Sequence, residues 1–430
     1  MKRVLIIAYY WPPSGGSGVQ RWLNFTKYLP EKGWKPIVYT PENPDFEIQD
    51  DSLLQEVNPE VEVIKRPIWE PYKLHQLVFG KKQKKGNKAG LVESGKSGYW
   101  SNWIRGNLFV PDPKIFWRKP SVRFLSDYLK RNKIDAIIST GTPHSMHLIA
   151  LSLKRKFPQI PWVADFRDPW TELDMLKSYH IHPLRMKKYR SYEKSVLKMA
   201  DLCITTSKVW ANDFERLGAR KCIAITNGYD ERDFEQEVKP YTQFVISHFG
   251  LLNHLRNPSS LWNALEALCA ENQTFREKFE LHLGGTISSE NLAELKNFTH
   301  LKKAVKVFPY LSHKEVVKEY LKSSVLLLLL FNSESGKGNI PGKLFEYLAA
   351  RRPILAFGPD KGDSAQIIED KQAGSFFLYE KENVTEIKKA VWEAFQLHQN
   401  GEVLPARNGI SMFSRRATTA ALAEHLNSLT

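Results

Sequence analysis

The sequence predicts an α/β protein with two doubly wound domains. Short apolar runs, typical of buried parallel strands, alternate with helical patterns along most of the chain. This alternation starts a second time after a polar, acidic, proline-containing stretch at Asp230–Thr242. The length of 430 residues also favours two domains over one.

The first series opens with a strand, a glycine-rich turn and a helix. The strand is Lys2–Tyr10, the turn is Ser14–Gly18, and the helix Val19–Glu31 ends before Gly33, a residue typical of helix ends. The further strands of this series are predicted at Lys35–Thr40, Ala136–Ser139, Pro161–Asp165 and Leu202–Thr205, and its further helices at His147–Phe157 and Arg185–Ala200. This order is that of consecutive βαβ units.

The second series has the same organisation. Its strands are predicted at Phe244–Phe249, Phe279–Gly284, Val305–Phe308, Val325–Phe331 and Pro353–Phe357, and its helices at Pro258–Glu271, Lys314–Ser323 and Lys343–Ala350. We therefore expect a first domain at 1–235 and a second at 236–412. A last amphipathic helix, Arg415–Leu429 within 413–430, can pack on either domain, including by crossing back to the first.

The composition limits the partners and the compartment. There are 62 Lys and Arg residues against 47 Asp and Glu, a formal net charge of +15, which favours nucleotides, nucleic acid or an anionic membrane surface. We expect no signal peptide and no spanning helix, because no apolar run approaches the necessary length. The three cysteines are far apart, which favours a reducing compartment and no metal site.

One segment, Trp69–Trp117, lacks a clear βα period. It is rich in lysine and carries interleaved aromatic residues. Three interpretations remain open: a solvated loop, a contact with an anionic membrane surface, and nucleic-acid binding, which no recognised motif supports.

Three candidate sites fall in the first domain. The turn Pro13–Arg21, with Gly16, Gly18 and Arg21, opens a helix and suits either an anion or a purely structural turn. His144 follows the strand that ends near Ser139, at the edge where open α/β sheets bind ligands. At the end of the next strand, Asp165, Arg167 and Asp168 need partners or a ligand, and an Arg–Asp pair that shapes the loop is the alternative.

The most specific candidate lies in the second domain, at Gly336–Ala356. A glycine turn leads into the helix Lys343–Ala350, and a strand follows. Lys343 and the helix N-terminus near Gly342 suit a diphosphate. Glu346 lies one turn further on and can accept hydrogen bonds from ribose hydroxyls.

This segment resembles the donor-site motif of family-4 retaining glycosyltransferases of the GT-B fold. The stretches that agree in order and spacing are the N-terminal glycine loop, Thr142–His144, Ala164–Trp170, Ile225–Asp230, His248–Gly250 and Leu281–Gly285. The resemblance covers nearly the whole chain and is strongest to the branch that builds bacterial capsule, O-antigen and exopolysaccharide. It implies two Rossmann-like domains facing a central cleft.

The resemblance also implies roles for individual residues. The ribose-binding glutamate falls on Glu346, with Leu344 in the same motif, and the phosphate-binding cation after Gly250 falls on Arg256. Two positions depart from the family pattern: Leu251 replaces an arginine, and Gly338 replaces the first glutamate of the Glu-x7-Glu motif. Glu334 or Lys343 is then expected to compensate.

The implied reaction moves a sugar, with retention, from a nucleotide-sugar, expected to be a UDP-sugar, to a glycan or lipid-linked acceptor. His144, Arg256 and Lys343 are the expected catalytic residues, while Gly16, Gly18, Arg21, Asp165, Arg167 and Asp168 form the acceptor side.

No cofactor or metal and no nucleic acid are expected. The expected location is cytoplasmic, at the inner face of the membrane. The rivals are a nucleotide-sugar 2-epimerase of the same fold and a non-catalytic, membrane-associated paralogue.

Overall fold

The computed structural model describes residues 1–46, 48–70, 96–359, 362–379, 383–402 and 409–430. Much of the lysine-rich part of the segment Trp69–Trp117, from Lys73 to Glu93, lies outside these described residues. The chain divides into two compact units. Unit 1 comprises Met1–Thr226 together with Arg415–Thr430, and unit 2 comprises Asn227–Ser414. The sequence predicted the division after residue 235, whereas the structure divides the chain after Thr226. The last helix belongs to unit 1.

Unit 1 contains a parallel sheet of seven strands in the order β3-β2-β1-β4-β5-β6-β7. The strands are β1 (Lys2–Ile7), β2 (Trp34–Pro41), β3 (Glu62–Arg66), β4 (Ala136–Gly141), β5 (Trp162–Phe166), β6 (Leu202–Thr205) and β7 (Cys222–Ala224). Its helices up to residue 216 are α1 (Ser17–Tyr28), α2 (Lys96–Leu108), α3 (Arg118–Arg131), α4 (Ser145–Lys156), α5 (Pro183–Met199) and α6 (Lys208–Arg216).

The sheet of unit 1 is buried on both faces, because consecutive side chains of a strand point to opposite sides. In β1, Leu5 and Ile7 pack into one hydrophobic core, whereas Val4 and Ile6 pack into another on the opposite face. The continuous apolar run that predicted this strand therefore reflects two layers of helices.

Unit 2 contains a second parallel sheet, of six strands in the order β10-β9-β8-β11-β12-β13. The strands are β8 (Phe244–Leu252), β9 (Phe279–Ile287), β10 (Val305–Val307), β11 (Val325–Leu329), β12 (Ile354–Gly358) and β13 (Gly374–Leu378). The helices are α7 (Ser259–Glu271), α8 (Gln273–Lys278), α9 (Ser289–Asn297), α10 (Leu301–Ala304), α11 (His313–Lys322), α12 (Gly342–Ala350), α13 (Asp363–Asp370) and α14 (Val384–Gln399).

The last helix, α15 (Arg415–Leu429), packs beside α1 in unit 1. Leu422 and Leu426 on this helix are fully buried in the same core as Val4 and Ile6. Trp34 donates its indole N–H to Asn427, at 3.2 Å. The segment after unit 2 thus completes the core of unit 1.

Each sheet has one topological switch point, where the strand order reverses direction. It lies between β1 and β4 in unit 1 and between β8 and β11 in unit 2. Ligands of open α/β sheets bind outside the carboxyl ends of the strands at such points. The predicted fold class of two Rossmann-like doubly wound domains is confirmed. Over the described residues, no helix combines the length and apolar character needed to cross a bilayer.

Candidate active site

The candidate site of unit 2 is formed where β8 ends and α12 begins. A Cβ atom at Gly250 would lie 1.9 Å from Nζ of Lys343 and 3.3 Å from Nε2 of His248. The ammonium of Lys343 therefore lies against the backbone of Gly250, and a side chain at that position would displace it. Gly250 and Lys343, both predicted from the sequence, are brought together here.

Lys343 has no hydrogen bond or ion pair with any residue that the structure describes. Burial lowers its pKa to about 8, with a further contribution from the positive charge of Arg256, while Glu346 opposes the shift. A buried ammonium without a counter-ion is costly unless a ligand supplies the negative charge.

Arg256 supplies the second positive charge. Its guanidinium carbon lies 3.9 Å from the centre of the Phe331 ring, as in a cation–π contact. Its Nε atom is buried without a hydrogen-bond partner among the described residues, and burial lowers the pKa of the guanidinium. Arg256 and Lys343 thus form a half-buried cationic pair.

His248 lies beside this pair and remains neutral. Its Nδ1 atom is 2.9 Å from the carbonyl oxygen of Leu327, to which it can only donate. Nε2 is then a hydrogen-bond acceptor, without a partner in the described part of the chain. Burial, with the charges of Lys343 and Arg256, lowers the pKa of His248 to about 3. The sequence motif contained His248, but no role had been predicted for it.

The N-terminus of α12 is open. Pro341 occupies the cap position and supplies no side-chain cap, and a Cβ atom at Gly342 would meet nothing within 4 Å. The N–H of Leu344 is bonded to the Pro341 carbonyl at 3.0 Å, and the Leu344 side chain is buried in the core. The N–H groups of Gly342 and Lys343 are therefore those that can meet an anion.

Glu346 accepts a hydrogen bond from Nε2 of His313, at 3.0 Å. Nδ1 of the same imidazole lies 4.0 Å from a carboxylate oxygen of Asp233. The sequence did not indicate His313 or Asp233, because both are distant from Glu346 along the chain. The hydrogen bond from His313 therefore engages one oxygen of the carboxylate that is predicted to bind ribose.

The two departures from the family pattern lie close to this region in the sequence. Gly338 is buried at the end of the helical turn Glu334–Gly338, and Leu251 is half-buried in the last part of β8. The side chain of Glu334 falls outside the described residues. Glu334 and Lys343 were the two residues expected to compensate for these departures. Of their two side chains, the structure describes that of Lys343.

In unit 1, Asp165 is buried in a network of donors. Arg21 contacts its carboxylate with Nε at 3.1 Å and with Nη2 at 3.1 Å. The indole N–H of Trp22 and the hydroxyl of Thr140 also donate to it, at 2.7 and 2.9 Å. Arg21 further donates to the carbonyl of Ile225 at 2.8 Å. These contacts favour a structural role for Arg21 and Asp165, which tie α1, β4 and β5 together.

Arg167 connects two loops at the same sheet edge. Its side chain donates to the carbonyls of Gly141, Gly18 and Thr142. A Cβ atom at Gly18 would lie 3.2 Å from the Tyr10 ring, so the glycine permits packing against the protein's own side chains. Gly16, at φ 82°, adopts the left-handed conformation that favours glycine.

Asp168 differs from its neighbours, because its carboxylate has no hydrogen bond or ion pair within the described ranges. Burial raises its pKa; the charge of Arg167 opposes this shift and that of Asp165 adds to it. Among the charged residues predicted for the acceptor side, Asp168 is therefore the one whose polar atoms remain for a substrate.

His144 stacks on Trp170, with ring centres 4.3 Å apart. Burial, with the charges of His147 and Arg167, holds the pKa of His144 well below its ordinary value, so the imidazole is neutral. Its Nδ1 atom has no partner among the residues described. His147 lies in helix α4, as the sequence predicted, and its Nδ1 atom is 2.8 Å from the Ser139 hydroxyl. This contact favours a structural role for His147.

Over the described residues, no group of three His, Cys, Asp or Glu side chains is arranged to hold a metal ion.

Two family profiles match the chain. Residues 16–233, about half of the chain, match the family described as Glycosyltransferase Family 4. Residues 243–396 match the family described as Glycosyl transferases group 1. A comparison with curated proteins found no match.

Solved structures share the fold at low sequence identity. A sucrose-phosphate synthase from Thermosynechococcus elongatus is 14% identical, with a TM-score of 0.61 over 100% of this chain and 99% of that chain. A glycosyltransferase from Rickettsia africae is 12% identical, with a TM-score of 0.62 over 100% and 98%. An α,α-trehalose 6-phosphate synthase from Burkholderia multivorans is 10% identical, with a TM-score of 0.59 over 100% and 97%. These likenesses support the GT-B fold, and the profile over residues 16–233 shows that the chain belongs to Glycosyltransferase Family 4.

Proposed function

We propose that the protein transfers a sugar, with retention, from a nucleotide-sugar to a glycan or lipid-linked acceptor in cell-surface polysaccharide synthesis. Membership of the family supports sugar transfer. The donor, which we propose to be a UDP-sugar, the retaining outcome and the polysaccharide pathway are further parts of the proposal. We place the enzyme in the cytoplasm, at the inner face of the membrane, and propose that it requires no metal.

The main support for the proposal is the pair of cations at the candidate site of unit 2. Lys343 and Arg256 lie beside an uncapped helix N-terminus at the switch point of unit 2, and neither cation has a counter-ion within the described residues. A nucleoside diphosphate would supply two phosphate groups to this cationic pair and to the free N–H groups of the helix. Glu346, which His313 engages through one carboxylate oxygen, would accept the ribose hydroxyls.

The same groups would assist the reaction. In the transfer, the bond between the anomeric carbon and the phosphate oxygen breaks and a bond to the acceptor oxygen forms, while the acceptor hydroxyl gives up its proton to the departing diphosphate. Negative charge then accumulates on the departing diphosphate, where Lys343, Arg256 and the N–H groups of α12 stabilise it. The acceptor would bind unit 1, where Asp168 and His144 keep polar atoms without a partner among the described residues.

The proposal is tested first by a thermal-shift screen with UDP, GDP, ADP, TDP and CMP. A nucleotide at about 100 times its Kd stabilises the protein by roughly 2.7 kcal/mol. We expect one diphosphate to raise the melting temperature, which identifies the donor class. A Glu346→Ala variant should bind that nucleotide more weakly, and wild-type affinity in this variant would refute its role.

Two outcomes would favour the rivals. Conversion of the donor sugar to its epimer without any acceptor would indicate the 2-epimerase. No shift with any nucleotide would favour the non-catalytic paralogue, for which the glycine at position 338 is the supporting observation.

A further inference from the structure

The charged residues on the solvent-facing side of helix α5 are all cationic. Its buried side consists of Tyr189, Glu193, Val196 and Leu197. Its exposed cations are Arg185, Lys187, Lys188, Arg190, Lys194 and Lys198. None of the six forms an ion pair with another described residue. The one acidic residue of the helix, Glu193, is buried and binds Thr171.

This arrangement costs stability in isolation. Arg190 and Lys194, and likewise Lys194 and Lys198, stand four residues apart, so they are neighbours on the helix surface. Like charges at this spacing destabilise a helix, and a solvated surface helix usually relieves the repulsion with interspersed acids. On α5 the acid is buried and interacts with Arg190, so the other exposed cations leave a positive surface that is complementary to an anionic one.

Exposed apolar side chains adjoin the cations. Leu184, in the first turn of α5, is 72% exposed, and Leu108, at the end of α2, is 59% exposed. Met175, in the helical turn Asp174–Tyr179 that precedes α5, is 47% exposed. These elements are packed together: Asn107 accepts the N–H of His182 at 2.7 Å, and the Tyr189 hydroxyl donates to the Gly106 carbonyl at 3.1 Å.

We propose that this surface, the α5 face (residues 184–198 of α5 with Leu108 and Met175), docks onto an anionic lipid bilayer. Cations bind lipid headgroups, and adjacent apolar side chains enter the interface. A nucleic acid would use the cations but would leave Leu184 and its neighbours exposed to water. The inference rests on the membrane location in the proposed function and assigns a surface to it. Sugar transfer is tested separately by nucleotide binding, so the two can fail independently.

The test uses the full-length protein and sedimentation with vesicles. One set of vesicles contains phosphatidylcholine alone, and the other contains phosphatidylcholine and phosphatidylglycerol in equal parts. We expect binding to the anionic set, weakened by salt. Because each lysine near such a surface contributes about 1 kcal/mol, the triple variant Lys187→Glu/Lys194→Glu/Lys198→Glu should bind at least about 100-fold more weakly.

A matched control removes the same charge from another surface. Lys302→Glu/Lys303→Glu/Lys389→Glu changes three exposed lysines of unit 2 that form no ion pair with a described residue, and this variant should keep most of the vesicle affinity. Leu184→Ser, which leaves the charge unchanged, should weaken vesicle binding by about tenfold, as expected for one leucine leaving an apolar environment. The melting temperature of each variant shows that it is folded.

The proposal is overturned if the wild-type protein ignores anionic vesicles, or if both triple variants lose binding equally. It is also overturned if Leu184→Ser binds vesicles like the wild type while the α5 triple variant loses affinity for RNA or DNA, because the α5 face would then bind nucleic acid.

Discussion

Replacing Lys343 with methionine should stabilise the ligand-free protein and abolish nucleotide binding. The pKa of Lys343 falls from an ordinary value of 10.5 to about 8 on burial. A shift of this size corresponds to at most about 3.5 kcal/mol of lost stability at pH 7, because each pKa unit is worth about 1.4 kcal/mol. Methionine has a similar length and no charge, so it removes this cost.

The sign of the effect depends on pH. The folded state binds the lysine proton less tightly than the unfolded state, so the cost is full below pH 8 and disappears as the pH rises towards 10.5. For a unit of this size, the gain at pH 7 corresponds to a rise of up to roughly 10 °C in melting temperature. The rise should be measured by calorimetry without nucleotide, followed by titration with UDP.

Lys302→Met, at an exposed position of the same unit, is the control and should change neither quantity. A Lys343→Met variant that melts at or below the wild-type temperature without nucleotide, and still gains stability from UDP, would refute the assignment of Lys343 as an anion-binding cation.

The remaining predictions concern the same two units. UDP affinity measured by calorimetry should fall about tenfold between pH 7 and pH 9 as the Lys343 ammonium loses its proton, and Lys343→Arg should show no such fall. Gly250→Ala should remain folded yet bind nucleotide at least about tenfold more weakly, since its Cβ would displace the ammonium; unchanged affinity would contradict the geometry. His313→Gln should raise the KM for the donor while leaving the melting temperature unchanged, whereas equal effects in kcat and stability would indicate a structural role. Asp165→Asn should lower the unfolding free energy by about 3–5 kcal/mol in denaturant titrations, because it leaves a buried guanidinium unpaired.

The strands could be predicted because their sequence signal was strong. The leucine run of β11 and the apolar β1 are buried on both faces, so they have no polar alternation that would obscure them. Strand β3 was missed because it lies at the sheet edge with charged residues exposed. Helix α14 was also missed, although its buried residues Ile387, Val391 and Phe395 have the spacing of a helix and could have revealed it.

The site could be predicted in part. The meeting of Gly250 and Lys343 follows from the rule that ligand sites form at strand ends beside a switch point. The partners of Arg21 and Glu346 could not be predicted, because Asp165 and His313 are distant in the sequence. A sequence shows which charges are present, but only the fold shows which of them are already paired.

That pairing decides where an anion can bind. In unit 1, the donors of Arg21 and Arg167 go to a buried carboxylate and to backbone carbonyls, so neither guanidinium is left to attract a phosphate. In unit 2, burial lowers the pKa of both Lys343 and Arg256, and the charge of Arg256 lowers that of Lys343 further, at the cost of stability. Uncompensated charge persists at sites that need it for function. We therefore propose that the donor diphosphate binds unit 2. The carboxylate of Asp168, which has no ion pair with any described residue, makes a hydroxyl-bearing acceptor, rather than a second phosphate, the partner that we propose for unit 1.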